Sequence, residues 1–251
     1  MNVIRSSFYV LWLYGWMFVM GVIFLPSLLL PRQVIVFGIR TYSRLVVFGA
    51  NLICGIKVEF RGLEHIPEGP ILLAGKHQAM LDVFVPFLIV KDPLIVMKRE
   101  LLWYPVLGWY AVKSRQLWID RAGGAKTMRR MLKVAYEEVR VGEGRQMLIY
   151  PECTRTEPGA PPEYKPAGVR GFYKALTVPL VPLATNSGVC WPAHGLIRKP
   201  GTIVYEALPP IEPGLDSKVL LKRLEGELEA GSNDLLEEAR GAAVTNQAVA
   251  V

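Results

Sequence analysis

The sequence predicts an α/β domain, a mixed and largely parallel sheet flanked by helices, joined to an N-terminal helical membrane anchor. Three observations predict it. Short β-like runs alternate with helical stretches from Lys57 onward. A 23-residue run without a charge, residues 8–30, precedes them. Hydrophobic residues make up 51% of the 251 positions, and the mean hydropathy is positive, which is high for a water-soluble domain.

The run at 8–30 corresponds to about 34 Å of helix at 1.5 Å per residue, enough to span a bilayer. It is too long for a signal peptide, and no small-residue cleavage site follows it. Pro26 predicts a kink, because proline removes one backbone donor. A second apolar stretch, 34–56, is interrupted by Arg40 and Arg44. These sit one helical turn apart and share a face, as in a helix lying in the membrane interface. Arg32, Arg40, Arg44 and Lys57 follow the first run and only Arg5 precedes it, which places the following domain on the cytoplasmic side. Three geometries are open at this point: one span followed by an interfacial helix, a helical hairpin dipping into one leaflet, and a buried soluble hairpin.

Four segments are expected: anchoring helices over 1–56, the main domain over 57–211, a helical segment over 212–240, and a disordered tail over 241–251. Within the main domain, 71–74, 94–97, 117–119, 147–150, 178–183 and 202–205 read as strands. Residues 80–90 read as a helix. Residues 126–141 read as an amphipathic helix, with Met128, Met131, Leu132, Ala135 and Val139 at helical spacing. Residues 217–230 read as a solvated terminal helix packed on the domain. From Gly241 onward no periodicity remains.

The net charge is +7, and it is unevenly placed. Residues 212–240 hold eight acids and four bases, leaving 25 bases against 14 acids in residues 1–211. Anionic lipid surfaces and phosphorylated substrates fit that balance. Nucleic acid has only the net charge in its favour, with no stacking motif beside it. Three widely spaced cysteines, Cys54, Cys153 and Cys190, form neither a disulfide framework nor a metal motif.

Chemistry concentrates in three segments. In Gly75-Lys76-His77-Gln78-Ala79-Met80-Leu81-Asp82 a strand gives way to a helix. His77 in the turn can then meet Asp82 in the first helical turn. A carboxylate that holds one imidazole nitrogen leaves the other to take a proton. That is the base and orienting acid of a triad, with the nucleophile left to a substrate hydroxyl. A structural histidine at a helix start fits the same spacing equally well. In Tyr150-Pro151-Glu152-Cys153-Thr154-Arg155-Thr156, Arg155 offers a planar fork and Thr154 a hydroxyl, with Lys165 ten residues on. Two cations around one Pro/Gly-rich loop suit a phosphate monoester. The third segment is Leu117-Trp118-Ile119-Asp120-Arg121. It lies within residues 97–133, where nine bases face two acids. Trp103, Tyr104, Trp109 and Tyr110 in that region suit either a membrane interface or a core.

In this order the segments resemble the 1-acyl-sn-glycerol-3-phosphate acyltransferase family. The family's His-x4-Asp block is similar to His77 through Asp82. Its hydrophobic-Ile-Asp-Arg block is similar to Trp118 through Arg121. Its Phe-Pro-Glu-Gly-Thr-Arg-Ser block resembles Tyr150 through Thr156, and Lys165 and Gly168 match the Lys-x-x-Gly that follows. Its Val-Pro block resembles Val178 through Leu183, and Asn186-Ser187-Gly188 beyond it is similar too. The resemblance spans roughly 57–210 and implies the glycerolipid acyltransferase fold.

It also implies roles. His77 would be the general base and Asp82 its partner. Glu152, Thr154, Arg155 and Lys165 would hold the acceptor's phosphate, and Arg121 would support that site. The implied reaction moves a fatty acyl chain from acyl-CoA or acyl carrier protein to the sn-2 hydroxyl of 1-acyl-glycerol-3-phosphate. It gives phosphatidic acid for phospholipid synthesis at the inner membrane. No metal is implied, and no cofactor beyond the acyl donor. Rival readings are acyl transfer to glycerol-3-phosphate or a lyso-aminolipid, and a non-catalytic lipid-binding protein. The chain departs from the family pattern at Cys153, usually Gly, and at Lys76 and Ala79, often Asn and Ser. A cysteine at position 153 is strained if that turn needs positive φ.

Overall fold

The computed structural model describes residues 2–119 and 124–249, the side chains of 243–249 excepted. Helix α1 (Asn2–Ile23) stops short of the proline, and the chain reverses through a 3-10 turn, Leu25–Leu29, with Pro26 inside it. The expected kink is therefore a helix end, since Pro26 has no N–H for the bond to the carbonyl four residues back and its ring crowds that carbonyl. Helix α2 (Arg32–Cys54) runs back and ends at Gly55, whose φ of 69° only glycine adopts without strain. The two helices form an antiparallel hairpin tied by side chain-to-carbonyl bonds: Tyr9 Oη to Val46 and Trp12 Nε1 to Leu45, both 2.9 Å, and Tyr42 Oη to Leu13, 2.9 Å.

Among the described residues, the domain that follows carries seven strands: β1 (Ile56–Arg61), β2 (Leu72–Gly75), β3 (Pro93–Lys98), β4 (Leu117–Ile119), β5 (Gln146–Ile149), β6 (Leu180–Thr185) and β7 (Gly201–Ala207). Their order is β1-β7-β6-β2-β5-β3-β4, with only β6 and β7 antiparallel. This is the mixed, largely parallel sheet that the alternating pattern predicts. Helices α3 (Pro86–Ile89), α4 (Leu107–Lys113), α5 (Gly124–Tyr136), α6 (Pro166–Leu176), α7 (Ser187–Cys190) and α8 (Ser217–Val249) complete the fold. Residues 80–90 are not one helix but a 3-10 turn, Met80–Val83, and then α3, because Pro86 restarts the chain at the first helical turn.

Strand β2 shows how the sheet buries both faces. Ile71 and Leu73 point to the layer of α1 and α2, with Tyr9, Leu13 and Val46. Leu72 and Ala74 point the other way, among Met131 of α5, Phe172 of α6 and Leu224 of α8. Period-two alternation with apolar residues on both sides is what a central parallel strand requires.

The tail departs from expectation. Helix α8 continues to Val249, so residues 241–249 are helical rather than disordered. Those residues hold no proline and several alanines, and a single Gly241 costs only about 1 kcal/mol of helix propensity.

The hairpin is packed on the domain at both ends of α1. Tyr9 is buried against Trp191, and Tyr110 of α4 bonds the Gly21 carbonyl at 2.7 Å. Its outward face stays apolar and exposed, through Phe8, Leu11, Phe18 and Val22. Trp103, Tyr104 and Trp109 are also exposed, at 82%, 60% and 51%, which settles them as surface rather than core. The basic residues of α2 divide. Arg44 is exposed, whereas Arg40 turns inward and caps α3 and the turn after it, donating to the carbonyls of Phe87, Val90 and Lys91. Arg32 pairs with Asp92 and Glu143, and the fully buried Arg145 reaches the same Asp92. Burial alone would raise the Asp92 carboxyl, but Arg32 and Arg145 outweigh it and hold it below the ordinary carboxylate value.

Candidate active site

Strand β2 ends at Gly75, and the backbone turns through Lys76–Ala79 into the 3-10 turn that carries Asp82. The Asp82 carboxylate, 3% exposed, organises that turn. Its Oδ2 accepts the backbone N–H of Gln78 at 2.7 Å and of Ala79 at 2.8 Å. The same oxygen lies 2.9 Å from Nδ1 of His77, and Oδ1 accepts the Tyr205 hydroxyl at 2.7 Å. An ionised carboxylate only accepts, so Nδ1 carries the proton and Nε2 keeps its lone pair. The ring is fixed from one side by Tyr150, stacked at 4.1 Å and 19°. Tyr150 in turn bonds the Asp82 carbonyl at 2.7 Å. Burial, and then the Asp82 charge, push the hydroxyls of Tyr150 and Tyr205 well above their usual value, so both act as donors.

The loop from Tyr150 to Lys165 closes over the same turn. The Thr156 N–H donates to the His77 carbonyl at 2.8 Å, and the Lys165 N–H to the Pro151 carbonyl at 2.7 Å. Among the described residues, half-buried Arg155 and exposed Thr154 have no side-chain hydrogen bond or ion pair. Lys165 is exposed and loosely paired with Glu163 at 3.5 Å. The loop therefore carries a fork and a second cation, and it is joined to the His77 turn through the Thr156 N–H.

Glu152 is placed differently from that expectation. It is 2% exposed, and its Oε1 meets Lys76 Nζ at 3.0 Å while Oε2 accepts the Thr156 hydroxyl at 3.0 Å. This buried carboxylate is already paired with a lysine and ties the loop to the His77 turn. Cys153 sits at φ 57°, so the turn does need the left-handed conformation and the cysteine carries its strain. Arg121 lies outside the described residues. Two site residues escaped the sequence reading. Tyr205 reads there as an ordinary β-strand aromatic, and Gln78, whose Oε1 accepts the Gly188 N–H at 3.0 Å, carries no signal of its own.

Residues 57–186 match the family model described as Acyltransferase. The chain belongs to the acyltransferase family. The acyltransferase is 29% identical over 237 residues to the 1-acyl-sn-glycerol-3-phosphate acyltransferase of Pseudomonas aeruginosa, covering 94% of this chain and 91% of that one. It is 30% identical over 164 residues to the enzyme of the same name from Limnanthes alba, covering 62% of this chain and 55% of that one. The chain thus spans about half of that plant relative. The crystal structure of PlsC, a 1-acyl-sn-glycerophosphate acyltransferase from Thermotoga maritima, superposes with a TM-score of 0.78 at 21% identity, over 94% of this chain and 98% of that one. The fold is therefore that of PlsC, and the enzyme reading replaces that of a non-catalytic lipid binder.

Proposed function

We propose that the acyltransferase moves a fatty acyl chain from a thioester, acyl-CoA or acyl carrier protein, to the sn-2 hydroxyl of 1-acyl-glycerol-3-phosphate. The observation that carries this reading is the His77–Asp82 pair beside a loop whose Arg155 has no protein partner among the described residues. His77 Nε2 takes the hydroxyl proton as the oxygen attacks the thioester carbonyl. The new C–O bond forms, the C–S bond breaks, and the same imidazole returns the proton to the departing thiolate. The products are phosphatidic acid and a thiol. Asp82 holds the tautomer and balances the imidazolium charge. Arg155, Thr154 and Lys165 clamp the acceptor's phosphate, and Arg121 supports that site.

The acceptor's tail lies in the cytoplasmic leaflet of the inner membrane, with the hairpin and the exposed aromatics of 103–109 embedded beside it. Helix α1 is long and apolar enough to cross a bilayer. Its contacts with the domain near both ends favour the one-leaflet hairpin over an isolated span. The bases following α1 support the cytoplasmic orientation.

The test is a panel of acceptors, lysophosphatidic acid, glycerol-3-phosphate and a lyso-aminolipid, each offered one acyl thioester, with the product identified by mass spectrometry. Phosphatidic acid as the main product supports the reading. Preferred acylation of the phosphate-free acceptor overturns it.

A further inference from the structure

The C-terminal helix has no part in the reaction just described, yet one of its acids reaches the site. Glu229 of α8 places Oε1 at 2.6 Å from Lys76 Nζ and 2.9 Å from the Tyr164 hydroxyl. Lys76 is 4% exposed and adjoins His77. Its ammonium bridges Glu229 and Glu152, and it lies 5.8 Å from the Tyr164 ring. Glu152 and Tyr164 stand near the two ends of the loop that carries Thr154 and Arg155, with Lys165 next to Tyr164. Two buried or nearly buried carboxylates share one buried cation, so removal of Lys76 strands both acids, whereas removal of either acid unties one element from the lysine and leaves the other pair in place. Burial, and then Glu229 and Glu152, push the Tyr164 hydroxyl far above its usual value, which keeps it a donor to Glu229.

From this geometry we infer that Glu229 and Lys76 are positioning residues for the acceptor, acting as a latch by which α8 fixes the Arg155–Lys165 loop against the His77 turn. The inference rests on the proposed phosphate-binding role of that loop. It also gives Lys76 a reason to stand where the family often has Asn: here the lysine has a helix-borne acid to meet. The latch touches neither the reacting hydroxyl nor the thioester. Its loss should loosen the loop, weaken acceptor binding and spare the chemical step.

Steady-state kinetics of the full-length, membrane-reconstituted enzyme test it, with lysophosphatidic acid and acyl-CoA varied separately. Glu229→Gln should raise the acceptor KM about tenfold, the scale of a lost charge-assisted hydrogen bond. It should move kcat and the donor KM less than twofold. Tyr164→Phe removes one hydroxyl, is the milder variant should Glu229→Gln fail to fold, and should shift the acceptor KM in the same direction by less. Lys76→Asn combined with Glu229→Gln should cost less than the product of the single effects. An acceptor KM within twofold of wild type in both Glu229→Gln and Tyr164→Phe overturns the latch. So does an equal rise in both KM values, or a lowered melting temperature with unchanged kinetics. If the wild-type enzyme does not acylate lysophosphatidic acid, the proposed function falls instead, and the two failures are distinct.

Discussion

The hydroxyl of Tyr205 on β7 donates to Oδ1 of Asp82 at 2.7 Å, across 123 positions of sequence. The acid that orients His77 is therefore held from two directions, by backbone N–H groups of its own turn and by a side chain from another strand. Hydrogen bonds to a charged group contribute about 1.5–3 kcal/mol. Tyr205→Phe should lower kcat by roughly tenfold or more, on the scale of about 1.4 kcal/mol per factor of ten, with the acceptor KM little changed. A kcat equal to wild type would show that the backbone donors suffice.

Asp82→Asn keeps the shape of the side chain and removes its charge. The amide oxygen can keep the Gln78 and Ala79 N–H groups and Nδ1, but a neutral amide no longer balances the imidazolium charge as the hydroxyl proton is taken. Activity should fall by about 10²–10⁴, the usual contribution of general-base catalysis. Circular dichroism of the variant should match wild type, because an Asn oxygen can still accept the N–H groups of Gln78 and Ala79.

Cys153 occupies a left-handed backbone at φ 57°, where a non-glycine residue costs about 1–2 kcal/mol. Cys153→Gly should raise the melting temperature by about 2–4 °C for a chain of this size, with transfer activity retained. Cys153→Val, β-branched at the same φ, should lower it. A lower melting temperature for the glycine variant would mean that the cysteine's side-chain contacts outweigh the strain.

Asp92 is held below its ordinary value by Arg32 and Arg145. A depressed carboxyl stabilises the fold at pH above its unfolded value, about 3.9, and that contribution fades as pH falls through the folded value. Asp92→Asn should therefore be destabilised at neutral pH by about 3 kcal/mol, the scale of a broken buried pair. The gap to wild type should close below about pH 4. Denaturant midpoints measured from pH 3 to 7 check both the size and the direction.

Much of this was legible in the sequence because it is local. His77 and Asp82 meet through five residues of turn, and β2, β3, β5 and β6 announce themselves as short apolar runs bounded by turn residues. What was not legible depends on distant partners. Strand β1 is polar on alternate positions and exists because it pairs with β7, 145 positions away, as in Ile56 beside Gly201. Glu152 reads as a ligand in sequence and becomes a loop anchor only once Lys76 and Glu229 are folded against it. Arg40 looks like a headgroup cation and instead satisfies the carbonyls after α3. The helical end of α8 was missed because the stretch after Gly241 lacks an amphipathic period, while nothing in it stops a helix already under way.

The central claim is that His77 is the base that activates the acceptor hydroxyl. The most direct measurement is the single-turnover rate of acyl transfer to lysophosphatidic acid by His77→Ala, at saturating acceptor and donor, against wild type. The account predicts a loss of about 10²–10⁴ with acceptor affinity and fold preserved. A rate within a few fold of wild type would contradict it.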